Sequence, residues 1–193
     1  MFDEKGQLHT LEGVASATIL LMVMIYAIDA TSMTPLTAST SSLRVESELQ
    51  TLGQDIFNVL DYSEANYTSK LKYDIINWNG TEYIYDGSKY VEVGNATSQN
   101  NLNNNLTNIL SSTLVKQGIA HKVELTYLIN SNNKTVPYTG SIIYAGAPSN
   151  NAVIVSRKIV LQDTDNVAAT IPDIDPSSNL FNIVDIRLVM WRM

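Results

Sequence analysis

VASATILLMVMIYAI, residues Val14 to Ile28, contains no charged side chain and is dominated by Ile, Leu, Met and Val. A helix built from it has no polar face to turn to water and must be covered on every side. With its flanks the run is about seventeen residues, roughly 26 Å at about 1.5 Å per residue, near the lower limit for crossing the hydrocarbon core of a bilayer. Tyr26 and Asp29 at its end suit the interfacial level. The sequence therefore predicts a cytoplasmic head or leader over 1–12, a transmembrane helix over 13–30, a Ser/Thr-rich linker over 31–42 kinked at Pro35, and one extracytoplasmic domain over 43–193.

The net charge is −7 and the sequence pI about 4.7. Such a surface repels phosphate backbones, so nucleic acid is not an expected partner. There is no cysteine, which removes disulfides, thiolate-held metals and thiol catalysis together. Asparagine occurs nineteen times, so the polar surface is built more from neutral hydrogen-bonding groups than from charge. Five Asn-x-Ser/Thr sequons begin at Asn66, Asn79, Asn95, Asn105 and Asn133, all beyond the apolar run, and make N-glycosylation an expectation. A secretory signal peptide fits less well, because Asp3 and Glu4 stand where a basic n-region belongs. Orientation follows from size: a twelve-residue head stays in the cytoplasm and the long Asn-rich part is exported, giving a single-pass cell-membrane protein.

The head reads Lys5-Gly6-Gln7-Leu8-His9-Thr10-Leu11-Glu12, and Thr34-Pro35-Leu36-Thr37-Ala38-Ser39-Thr40-Ser41 follows the run. Together they resemble the class III leader of archaeal type IV pilins and an uncharacterised family of pilin-like archaeal membrane proteins. The resemblance implies a cut by prepilin peptidase between Gly6 and Gln7, and a freed helix packed in the centre of an extracellular filament. Counted from Gln7, Glu12 is sixth, one place later than the glutamate of that family. After processing, Glu12 would pair with the new terminal amine of a neighbouring subunit. Without it, the carboxylate complements the dipole of the first helical turn, worth about 0.3–1 kcal/mol. The function implied is a pilin-like structural subunit, major or minor, of a type IV filament. The alternative is a permanently membrane-anchored, non-polymerising surface binding or envelope-complex protein. Its partners would be membrane lipid and a homo- or hetero-oligomer of like subunits.

Beyond the linker, Val45, Leu49, Leu52, Ile56 and Leu60 recur at helical spacing and predict an amphipathic helix. Asp74 to Ile76 leads through Asn79-Gly80 toward Tyr83-Ile84-Tyr85, and Asp86-Gly87 leads on to Tyr90, which reads as two consecutive hairpin turns. Helical spacing returns over Thr97 to Gly118. Alternation predicts strands over Lys122–Ile129, Ser141–Tyr144, Val153–Leu161 and Asn182–Trp191, and Pro137 restricts Thr135–Thr139 to an edge strand. The fold class expected is α+β: a long N-terminal membrane helix, and a domain of mainly antiparallel sheet packed on one or two helices.

Chemistry is sparse. His121, at the start of a strand, reads as ordinary surface, and no phosphate loop, dinucleotide fingerprint or nucleophile elbow occurs. Asp163 and Asp165 offer oxygens to calcium, but their spacing is not that of an EF-hand. Tyr83, Tyr85 and Tyr90 fit cross-strand aromatic packing. No catalytic role, metal or cofactor is expected.

Overall fold

A computed structural model describes residues 12–25, 40–65, 67–94, 100–132 and 134–192. The chain divides into two compact units, Met1–Leu43 and Arg44–Met193. The described part of the first is the helix α1 (12–25) and the opening residues of α2 (Thr40–Asp61).

The expected membrane span over 13–30 is corrected here. Among the described residues no helix is long and apolar enough to cross a membrane. The residues 12–25 of α1 amount to about 21 Å of helix against a hydrocarbon core of about 30 Å, and 26–30 lie outside the described residues. The single-pass location, the cytoplasmic-to-extracellular orientation and the fold class built on a long membrane helix fall with it.

The second unit is mostly β. Seven strands form one mixed sheet in the order β3-β2-β1-β5-β4-β7-β6, where β1 is Tyr83–Tyr85, β2 Tyr90–Glu92, β3 Asn101–Leu102, β4 Ile119–Ser131, β5 Lys134–Ile143, β6 Val153–Gln162 and β7 Leu180–Arg192. Every pairing is antiparallel except β1 with β5, which meet in parallel at Tyr83 and Ile143. The helices α2, α3 (Lys70–Ile76) and α4 (Asn105–Thr113) share one buried cluster with one face of the sheet. Leu49, Ile56, Phe57 and Leu60 of α2 meet Leu125, Val155, Leu188 and Met190 there. The opposite face carries Lys122, Glu124, Lys158, Asp185 and Arg187, the alternation that solvates one side of an antiparallel sheet. A smaller cluster of Ala120, Val189 and Trp191, with Ala145 and Ala152 against it, closes one corner.

Three local readings change. Asp74 to Ile76 lies in α3 rather than in a strand, because Ser69 caps the helix by accepting from the Lys72 amide and the Asp74 side chain is drawn inward. The buried Asp74 carboxylate accepts from the Leu106 amide at 2.7 Å and from Asn105 Nδ2 at 2.9 Å, so it caps α4 from outside that helix. Burial pushes its pKa up, and these hydrogen bonds oppose the rise. Of the helical segment expected over 97–118, residues 97–99 lie outside the described residues and the α-helix shortens to α4, whose capping box is Asn104 with Thr107; a 3-10 turn over Val115–Gln117 follows it and ends at Gly118 in the left-handed region. Pro137 lies in β5, which is interior in the strand order. It is tolerated because β1 joins β5 only at Ile143 and, among the described residues, the edge beside Pro137 has no ladder to complete.

Gly53 sets the distance between α2 and the sheet. A Cβ there would stand 2.5 Å from Met190 Cε and 2.8 Å from Val155 Cγ2. The methionine end yields but the β-branched valine does not. Gly53→Ala is expected to lower stability by about 1 kcal/mol net, as overpacking of about 1–3 kcal/mol outweighs the gain in helix propensity. Urea denaturation of the two proteins measures it.

Candidate functional site

In α1, the side chains of Val14 and of Ile19 through Ile25 are 58–68% exposed. Seven consecutive large apolar residues occupy every azimuth of a helix with 3.6 residues per turn, so no single groove can cover them. The two hydroxyls in α1 are satisfied internally: Ser16 Oγ donates to the Glu12 carbonyl and Thr18 Oγ1 to the Val14 carbonyl, each at 2.8 Å. These back-bonds remove the polar groups that would otherwise resist burial. Covering the eight exposed large side chains is worth on the order of 10 kcal/mol. Glu12 opens α1 and is exposed. Gly6 and Gln7, the expected processing site, lie outside the described residues.

His121 is not the surface residue its sequence position suggested. It is 3% exposed, and its Nε2 lies 2.8 Å from the Tyr90 hydroxyl. Burial lowers its pKa and so favours the neutral ring. With Nδ1–H donating to the Ile119 carbonyl at 3.3 Å, Nε2 accepts from Tyr90, and both nitrogens are used. Burial also raises the Tyr90 pKa, which keeps the phenol protonated as the donor. Tyr90 stands opposite Tyr85 in the β1–β2 hairpin with ring centroids 5.2 Å apart, the cross-strand packing expected for these tyrosines. Beside the pair is an apolar pocket of about 320 Å³ lined by Ile84, Tyr85, Val115, Ala120 and His121.

The arrangement is a tie. The hairpin strands β1 and β2 reach the long strands through one ladder position, and the Tyr90–His121 bond is a second link from β2 to β4. Because the folded pKa of His121 is lowered, the unfolded chain binds its proton more readily. Its contribution is complete above about pH 6.5 and is lost as pH falls through the folded value. Stability is therefore expected to fall below pH 6.5, by up to about 1.4 kcal/mol per pH unit. Asp74, with its raised pKa, acts in the opposite sense as pH rises above 3.8. Comparing urea titrations of the natural chain with the Tyr90→Phe/His121→Leu double variant across pH 5–8 isolates the histidine, and the variant should lose that slope.

The other expected sites separate. Asp165 Oδ2 pairs with Lys72 at 2.6 Å and also accepts from the Gln162 amide, so one carboxylate oxygen is engaged in closing a turn. Asp163 lies in the same turn. Among the described residues no three His, Asp or Glu side chains gather as metal ligands. Of the sequons, Asn79 is exposed, its Oδ1 accepting from the Thr81 amide. Asn105 gives its amide to Asp74 and its sequon partner Thr107 is 3% exposed, so the folded chain withholds both. Asn66, Asn95 and Asn133 lie outside the described residues.

Residues 5–190 match DUF7288, a family of unknown function, and the chain belongs to that family. It is 31% identical over 190 residues to an uncharacterized protein of Archaeoglobus fulgidus, covering 98% of this chain and 94% of that protein. No solved structure matches. The family assignment replaces the resemblance to archaeal type IV pilins.

Proposed function

We propose that this member of the DUF7288 family is a non-enzymatic structural subunit that assembles with copies of itself through α1. The observation that carries this reading is the all-round exposure of the apolar side chains of α1. A helix apolar on one face asks for one partner groove; a helix apolar on all faces asks for several neighbours. Identical helices from other copies supply them, with the same lack of polar groups, and a symmetric bundle or a helical filament results according to whether the contact closes. The separation of the chain into two compact units is consistent with a segment devoted to association and a unit that folds around its own core.

The test is light scattering after size-exclusion chromatography of the full chain in detergent-free buffer, followed by electron microscopy. The expected result is a defined oligomer of three or more chains, or a filament. A stable monomer would overturn the proposal. So would a chain that enters vesicles of zwitterionic phospholipid and stays monomeric there.

A further inference from the structure

The strand β6 ends the sheet. It pairs with β7 along its length and, among the described residues, no strand pairs with its other side. Alternate backbone N–H and C=O groups of a ten-residue strand therefore face outward, a template for another strand. Two successive depressions follow this margin where α2 passes it. One, of about 340 Å³, is lined by Gln50, Gln54 and Asn58 of α2 with Ser156 and Arg157. The next, of about 450 Å³, is lined by Asp61, Tyr67 and Lys72 with Lys158 and Val160. The helix-side walls supply carboxamides and other side chains able to donate and accept.

The chemistry of the edge selects the occupant. Arg157-Lys158 is the only adjacent pair of Lys or Arg residues in a chain of net charge −7, and it lies at the middle of β6. Arg157 turns toward α2, bonding Asn58 and lying 3.8 Å from Asp61. Lys158 lies on the open face, 70% exposed, with its Nζ 3.5 Å from Asp185. On that same face Ile154 is 62% and Val160 51% exposed. A second copy of β6 is a poor partner: the two antiparallel two-fold registers with the fullest overlap place Arg157 opposite Arg157 or Lys158 opposite Lys158.

We infer that β6 receives an extended segment of a different protein as an added strand, with an acidic side chain opposite Lys158 and apolar side chains against Ile154 and Val160. Main-chain bonds to β6 supply affinity, and the alternation of apolar and acidic residues supplies selection. The inference is independent of assembly through α1.

The probe is a capped nine-residue peptide, Thr-Val-Thr-Glu-Thr-Thr-Thr-Val-Thr, added to the full chain alongside its counterpart with Lys in place of Glu. Fluorescence anisotropy gives the affinities, and amide hydrogen exchange locates the contact. The Glu peptide is expected to protect alternate amides of 153–162 and to bind at least about 10-fold more tightly than the Lys peptide. The charge-reversed chain, Lys158→Glu, should exchange the two preferences. Equal affinities, protection confined to other strands, or no binding by either peptide would overturn the inference. Protection of β6 that grows with protein concentration alone would also overturn it, since a second copy would then be the occupant.

Discussion

Replacing Leu20 and Val23 of α1 by aspartate is expected to leave a monomer where the natural chain assembles. Both side chains are more than 60% exposed within the chain itself, so Leu20→Asp/Val23→Asp removes little packing inside a single copy. In a bundle of α1 helices the same substitutions place two unpaired carboxylates per chain in an apolar interior, at several kcal/mol each. The association constant should drop at least about 1,000-fold, equivalent to about 4 kcal/mol. Because Arg44–Met193 forms its own compact unit around its own core, its thermal midpoint should remain that of the dissociated natural chain. Sedimentation velocity and differential scanning calorimetry on the same samples separate lost association from lost folding.

The largest effect on folding is expected at Asn182. This side chain has no exposed surface and makes four hydrogen bonds. Its Oδ1 accepts from the amides of Leu128 and Ile183, and its Nδ2 donates to the carbonyls of Leu128 and Pro172. The β4–β7 ladder ends at Thr126 and Asp185, and Asn182 continues it with a side chain in place of backbone. It also ties in the 172 loop. Asn182→Ala would leave buried donors and acceptors without partners, at about 1–3 kcal/mol each, for a total loss of about 4 kcal/mol. Asn182→Asp should be no better, since its carboxylate would face two carbonyls. Equilibrium urea unfolding reads both; a loss below about 1 kcal/mol for the alanine variant would mean that water or a backbone shift repairs the gap.

Strands were the most legible part of this chain, for a physical reason. Val123, Leu125 and Tyr127 alternate with Lys122, Glu124 and Thr126 because β4 has one face in the core and one in water, and β7 repeats the pattern. The amphipathic stripe from Val45 to Leu60 was equally readable, and Leu49, Ile56 and Leu60 are buried as it requires. What local pattern could not reveal was partnership across the fold. Asp74 looked like the first residue of a strand, yet it lies in α3 and its carboxylate caps α4, 32 residues away. His121 looked like surface because its partner, Tyr90, is 31 residues upstream. Pro137 suggested an edge strand, yet β5 is interior in the strand order, because where the three-residue strand β1 docks on it could not be read from local pattern.

The apolar run shows the same division. Its composition established that α1 must be covered and could not say by what. A bilayer was the first reading because length and purity suit it, and the described helix is too short for that reading. The candidate edge at β6 was hidden differently: Val153–Leu161 read as a strand, but nothing in its alternation marks it as the last in the sheet. The Arg157-Lys158 pair at its centre was the available signal, because lysine is frequent on strands that end a sheet.

The absence of cysteine from the sequence permits a direct measurement of where α1 lies. A single-cysteine chain, Leu21→Cys, can be oxidised in detergent-free buffer beside a control chain, Ser88→Cys, whose thiol would lie in the exposed β1–β2 turn. Assembly through α1 predicts rapid disulfide cross-linking of the Leu21→Cys chains into covalent dimers at dilute concentration, with the control remaining uncrosslinked. Equal, slow cross-linking of both chains would contradict it.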